Sequence, residues 1–183
     1  MDTLIRQPHA HAAAVVPAAL EPAQYLTFML GSEVFAISIL QVKEIIEYHS
    51  LTEVPMMPPS VRGVINLRGA VVPVVDPLAR FGRPSSPVGK KTCFVIVELQ
   101  SGEDRHVVGV IVDAVNEVLD IAAADIEPPP SFGARLRRDF LTGMAKVGGR
   151  FVILLDVEQV LHLDEVGAHP QHPHADLPEL AAA

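Results

Sequence analysis

One stretch of this chain is written twice, and that limits its fold more than anything else in the sequence. Gly63-Val64-Ile65-Asn66-Leu67-Arg68-Gly69-Ala70-Val71-Val72-Pro73-Val74-Val75-Asp76 aligns without a gap with Gly143 to Asp156. Gly63 falls on Gly143, Gly69 on Gly149 and Asp76 on Asp156. Each copy reads as two short apolar strands meeting at a tight turn, where Gly69 and Gly149 supply a backbone free to take positive φ. Arg68 is then held at the tip of a hairpin. Pro73 has no N–H for a ladder, which predicts an edge or a bulge at that position. Asp76-Pro77 predicts an N-cap and first helical residue for a short helix through Phe81, and Asp156 caps a second helix through Leu163.

An upstream piece also repeats: Ala36 to Ile46 matches Gly109 to Leu119. The offset is larger in the downstream piece, so the second copy has a longer middle loop, the one carrying Pro128-Pro129-Pro130. Two copies are too few for a solenoid. A duplicated small β-unit follows. Tyr25 to Leu30 and Val34 to Ile39 form its opening hairpin, with Leu26, Phe28 and Leu30 on one face and Phe35, Ile37 and Ile39 on one face. Leu40 to Ile45 is read as a helical turn. Cys93 to Leu99 and Val107 to Val112 form the second opening hairpin, and Arg135 to Phe140 a short helix. The linker Gly82-Arg83-Pro84-Ser85-Ser86-Pro87-Val88-Gly89-Lys90 divides a first unit, 23–81, from a second, 91–165. Residues 1–22 and the Pro-, His- and Ala-rich 166–183 read as flexible tails.

At 183 residues the chain holds one ordinary domain or two small ones. Its hydrophobic fraction of 49% comes without any apolar run of about 18 residues, so the excess belongs in cores and partner surfaces rather than in a bilayer. A net charge of −8 argues against nucleic acid, which needs a positive field; a double-barrel nucleic-acid binder is disfavoured for that reason. The N-terminal apolar stretch faintly resembles a signal segment, but Asp2 spoils the charge of its start and Pro17 breaks it, so a disordered leader on a cytoplasmic protein is expected. Cys93 is the only cysteine, so no disulfide framework exists and it reads as a small buried hydrophobe.

The search for catalytic chemistry finds little. Paired aspartates in a two-fold repeat invite an acid-protease reading. Asp76-Pro77-Leu78 and Asp156-Val157-Glu158 lack the small residues and glycine that such a loop needs, and helix caps explain both. His9, His11, His162, His169, His172 and His174 are interrupted by proline and joined by no completing set of ligands, so no metal is expected. The sequence contains no phosphate loop, zinc-protease motif or nucleophile elbow, and the chain reads as non-enzymatic, without a cofactor. A small hydrolase dependent on Asp76 and Asp156 is the competing enzyme reading. Glu44 and Arg68 stand out as charges in apolar surroundings, with Glu117 matching Glu44 in the second copy. Arginine at a rigid loop suits an interface ion pair.

Gly63 to Asp76 resembles the signature of the CheW-like family of chemotaxis coupling proteins. Phe28 to Val42 with Glu44-Ile45, Val108 to Asp113, Ile126-Glu127-Pro128, Phe140 to Gly143 and Ile153 to Asp156 carry the resemblance over residues 23–165. Ala70, Pro77 and the His-rich tail depart from other members. The resemblance implies a mainly β fold: two five-stranded SH3-like β-barrels packed together, with short helices. It implies an adaptor joining the cytoplasmic tip of chemoreceptors to the regulatory domain of a CheA-type histidine kinase. Positions implied in receptor binding are Val42, Gly63, Arg68 and Val118, and Glu44 matches a kinase-contact position. The alternative within the family is a coupling protein of a non-flagellar system controlling pili or a second messenger.

Overall fold

The computed structural model describes residues 21–129 and 138–162. Nearly all of the expected tails, 1–22 and 166–183, lies outside the described residues. So do His9, His11, His169, His172 and His174.

Among the described residues, eleven strands and two short helices follow one another in the order of the repeat: β1 (Ala23–Leu30), β2 (Glu33–Ser38), β3 (Val42–Glu47), β4 (Val61–Leu67), β5 (Ala70–Val75) and α1 (Pro77–Arg80). The second copy supplies β6 (Cys93–Ser101), β7 (Asp104–Val112), β8 (Ala114–Ile121), β9 (Ile126–Glu127), β10 (Leu141–Val147), β11 (Arg150–Leu155) and α2 (Val157–Leu161). They form a six-stranded sheet, β8-β1-β2-β11-β10-β9, and a five-stranded sheet, β3-β6-β7-β5-β4. The sixth strand is the two-residue β9. Its counterpart in the other sheet is a single bridge, Thr52 to Val64. Both do the same work. The chain leaves at one edge of a sheet and returns to pair at the other, which rolls each sheet toward a barrel.

The two sheets do not divide at the 82–90 boundary expected from the repeat. β1 and β2 pair with β8 and β11 of the second copy, while β6 and β7 pair with β3 and β5 of the first. Each barrel thus takes its opening hairpin from one copy and its remaining strands from the other. The connections explain why. A single 3-10 turn, Ile39–Gln41, separates β2 from β3, and only Asp113 separates β7 from β8. Asp113 alone is too short to reverse the chain, and Ile39–Gln41 winds as a 3-10 turn rather than a hairpin turn, so the chain runs on from one sheet into the next.

This exchange accounts for the unbroken apolar runs. Strands buried on both faces read as continuous rather than alternating. In β1 and β2, Leu26, Phe28, Leu30, Phe35 and Ile37 join a large core that also receives Val95, Val97, Val108, Val110 and Val112 from β6 and β7. Ala36 points instead into the six-stranded barrel with Ile121, Ala145, Val152 and Leu154. Phe94, Ile96 and Ile111 point into the five-stranded one with Ile65, Val72 and Val74. The shared core is bound by an aromatic series, Phe28 to Phe35 to Phe81 to Phe140, with ring centroids 6.5, 5.9 and 5.8 Å apart. Cys93 is half-buried against this core, and burial pushes its thiol pKa up while a backbone hydrogen bond from Val115 pulls the other way.

Three local expectations change. The helical turn expected over Leu40 to Ile45 is confined to Ile39–Gln41, because Val42–Glu47 alternates half-buried and exposed residues with the period of a strand. The second opening hairpin runs on to a tight turn at Gly102, pairing Ser101 with Asp104. Pro73 sits in β5, between two neighbours, rather than at an edge. The parallel ladder to β7 covers only Val74 and Val75, so the missing N–H falls where that ladder has not begun. Of Arg135 to Phe140, the described part, Arg138–Phe140, is a 3-10 turn.

Candidate partner-binding surface

The β4–β5 hairpin turns through Arg68 (φ 52°) and Gly69 (φ 86°). Two successive positive φ values are what a two-residue hairpin turn of matching twist requires. The Asn66 Oδ1 accepts the Gly69 N–H at 2.9 Å and fixes the turn from within. Arg68 therefore holds a backbone conformation that costs an ordinary L-residue on the order of 1–2 kcal/mol, and its side chain is the part that makes a specific contact.

That contact is a fork on Glu44. Arg68 Nη1 and Nη2 donate to Glu44 Oε1 and Oε2, each at 2.8 Å. Glu44 lies on β3, at one edge of the five-stranded sheet, and the hairpin of Arg68 at the other. The pair closes the barrel across its open seam. Arg68 is nonetheless 77% exposed while Glu44 is 24% exposed, so the guanidinium keeps a face toward solvent. The hydrogen bonds it donates to Glu44, then the Glu44 charge, hold the Arg68 pKa above the ordinary value. Sequence reading picked out both residues but treated them as separate sites, since nothing local links positions so far apart.

Beside the fork, Lys43 Nζ donates to Glu98 Oε2 at 2.8 Å and Arg105 Nη1 to Glu98 Oε1 at 3.3 Å. The Lys43 hydrogen bond is the main reason that the Glu98 carboxyl lies below its usual range. Apolar side chains are also exposed on these and neighbouring elements. Leu40 and Ile45 are exposed, as are Met56 and Val71 on the neighbouring loop and hairpin. Ile45 and Leu40 were not singled out in the sequence; their signal was a large aliphatic group at the solvent position of an alternating strand or turn.

The five positions implied by the resemblance are distributed unequally. Glu44 and Arg68 touch. Val42 precedes Glu44 on β3 and is half-buried against the shared core. Gly63 is buried in β4 and presents no surface. Its φ is 149°, and a Cβ added there would run into the backbone carbonyl of Thr52. Val118 lies on β8 of the other sheet, 45% exposed, in the place that Ile45 takes in the first copy.

The expected linker is strapped down. Arg83 Nη1 donates to Glu33 Oε2 at 2.8 Å, and the Ser86 hydroxyl donates to Asp113 Oδ2 at 2.8 Å. The same Asp113 oxygen accepts the Gly31 N–H at 2.6 Å. The two repeated aspartates act as caps. Asp76 Oδ1 accepts the Leu78 and Ala79 N–H groups and its Oδ2 takes Arg62 Nη1 at 3.0 Å, while Asp156 accepts the Gln159 N–H at 3.1 Å. Among the described residues no three His, Cys, Asp or Glu side chains gather at metal-binding distance.

The chain is similar to known proteins over most of its length. The family model described as CheW-like domain covers residues 24–165. The chain is 37% identical over 143 residues to the chemotaxis protein CheW of Klebsiella aerogenes, covering 78% of this chain and 84% of that one. It is 33% identical over 142 residues to the chemotaxis protein CheW of Rhizobium meliloti, covering 78% and 89%. The crystal structure of the scaffolding protein TtCheW from Thermoanaerobacter tengcongensis superposes with a TM-score of 0.69 at 31% identity, over 84% of this chain and 93% of that one.

Proposed function

The chain belongs to the CheW-like domain family, a family of non-enzymatic chemotaxis adaptors, and on that premise we propose that it couples chemoreceptors to a CheA-type histidine kinase. The observation that carries the proposal is the Glu44–Arg68 fork. It joins in a single rigid unit Glu44, which the resemblance implies for kinase contact, and Arg68, which it implies for receptor contact, on elements that also expose aliphatic side chains. An apolar contact with a charged rim is the usual anatomy of a protein interface. In this reading β3, with Glu44 and Ile45, faces the kinase regulatory domain. Val42, Arg68 and Val118 face the receptor tip, and Gly63 holds the hairpin that carries Arg68. The protein works in the cytoplasm, recruited to membrane-bound receptor arrays. No helix among the described residues is long and apolar enough to cross a membrane.

The fork also changes how the surface must be tested. Arg68→Glu alone sets two carboxylates against each other, so it disturbs Glu44 as well as any receptor contact. The informative variant is the exchange Glu44→Arg with Arg68→Glu, which restores an ion pair of reversed sense. We expect the exchanged protein to melt as the wild type does, while receptor-fragment binding falls at least tenfold or so, since the partner now meets a reversed charge. Recovery of normal receptor and kinase affinity by the exchange would reduce the pair to a structural staple. The coupling itself is tested by co-sedimenting kinase with receptor-containing membranes. Kinase retention independent of this protein would overturn it.

A further inference from the structure

The duplication leaves one half of an ion pair without its other half. Glu117 in β8 is the counterpart of Glu44 in β3, and Gly148 is the counterpart of Arg68. The turn geometry is the same in both copies, φ 52° and 86° at Arg68 and Gly69 against 57° and 80° at Gly148 and Gly149. The second barrel thus keeps the carboxylate and the turn but lacks the cation.

Glu117 is nevertheless held with care. Two residues of β8, Asn116 and Glu117, bulge opposite the single Thr27 of β1. A bulge re-aims the side chains it contains. Thr27, buried to 1% exposure, fills this one: its Oγ1 donates to the Glu117 carbonyl at 2.7 Å and accepts the Glu117 N–H at 3.2 Å. The backbone of Glu117 is locked at both groups. Its carboxylate is exposed and has no hydrogen bond or ion pair among the described residues. The next residue, Val118, is an open aliphatic side chain on the other face of the same edge strand, matching Ile45 in position and in exposure, 45% against 44%.

We propose that Glu117 takes from the receptor tip the guanidinium that its counterpart Glu44 takes from within the chain. The partner surface it fits straddles the edge strand β8, with an arginine forking onto Glu117 on one face and an apolar side chain covering Val118 on the other. This deepens the coupling reading and rests on it. The pairing inside the first barrel shows the geometry such a contact adopts, since a planar fork of donors matches a carboxylate in two parallel bonds.

The chain also offers its own competitor. A Cβ at Gly148 meets no heavy atom within 4 Å, and Arg68 demonstrates that an arginine tolerates this turn position. Gly148→Arg supplies in cis the cation that the receptor would supply in trans. The experiment titrates a purified chemoreceptor cytoplasmic-tip fragment, and separately the kinase regulatory domain, into wild type, Glu117→Gln and Gly148→Arg. Glu117→Gln is expected to weaken receptor-fragment binding roughly tenfold and to flatten its salt dependence. Gly148→Arg is expected to weaken it comparably, with the melting temperature lowered only by the small cost of an L-residue at positive φ. Adding Glu117→Gln to Gly148→Arg then brings no further loss, and the kinase arm is unchanged throughout. Unaltered receptor binding by Glu117→Gln, or a loss in the kinase arm instead, overturns the assignment while leaving coupling intact. A wild type that binds no receptor fragment overturns the coupling reading, and this proposal with it.

Discussion

Gly63, one of the residues proposed for receptor binding, is placed to act through the backbone rather than through a contact of its own. It is buried in β4, at φ 149°, with the Thr52 carbonyl where a side chain would start. Gly143 repeats the close approach without the positive φ, since a Cβ there would lie 2.6 Å from Ile126 Cγ2 and 2.7 Å from the Glu127 carbonyl. In both barrels the glycine lets the returning segment cross close enough to pair, through the Thr52–Val64 bridge in one and β9–β10 in the other. The sequence marked both glycines by their place in the repeat but gave no reason for them, because the reason is a backbone that arrives from another part of the chain. Gly63→Ala is therefore expected to cost about 2–4 kcal/mol, from strain and forced separation of the Thr52 segment. Gly69→Ala has open space and loses only on the order of 1–2 kcal/mol, from its positive φ. Chemical denaturation of the two variants checks this. A Gly63→Ala protein of wild-type stability that fails to bind receptor would make Gly63 a contact after all.

At the scale of elements, what is local was legible and what is distant was not. The hairpin turn, the capping aspartates and the proline at the first helical position follow from neighbours a few residues away. α1 and α2 begin where the sequence places them. The load on the two caps differs for a reason outside the motif. Asp76 is 3% exposed, holds two N–H groups and also neutralises Arg62, whereas Asp156 holds one N–H group and is more open. Removing Asp76 leaves a half-buried guanidinium without its partner as well as an uncapped helix. Asp76→Ala should cost about 2–4 kcal/mol against about 1 kcal/mol for Asp156→Ala, measured by urea unfolding at neutral pH. Equal costs would mean that Arg62 finds solvent without loss. The Glu44–Arg68 fork escaped the sequence for the same reason as the Arg62 contact: both are set by which strands become neighbours.

The exchange of hairpins is a property of the whole molecule, and it makes a test that local reasoning would get backwards. If each copy of the repeat closed its own barrel, a cut in the linker would release two units able to fold. Here the first copy's β1–β2 hairpin completes the second copy's sheet, and β6–β7 completes the first's. The shared core draws its largest side chains from both. A fragment ending at Val88 would hold β1 and β2 with no β8 or β11 to pair, and their apolar faces would lie open on both sides. Each half would also lose the other's aromatic contacts, Phe28, Phe35 and Phe81 on one side and Phe140 on the other. Exposed strands buried on both faces in the native state are an aggregation hazard. We therefore expect neither half, divided between Val88 and Gly89, to give a cooperative unfolding transition when produced alone. Produced together, the halves should assemble one to one and recover the native melting transition, lowered because folding has become bimolecular. The strap Ser86–Asp113 stays within this design, since Ser86 remains on the first fragment and Asp113 on the second. Asp113→Asn should weaken the reassembled complex more than it weakens the uncut chain, where the covalent link already holds the strap near its partner. Two halves that each fold independently would show that the chain can close a barrel within one copy, and that the exchange is a choice made only when both copies are joined.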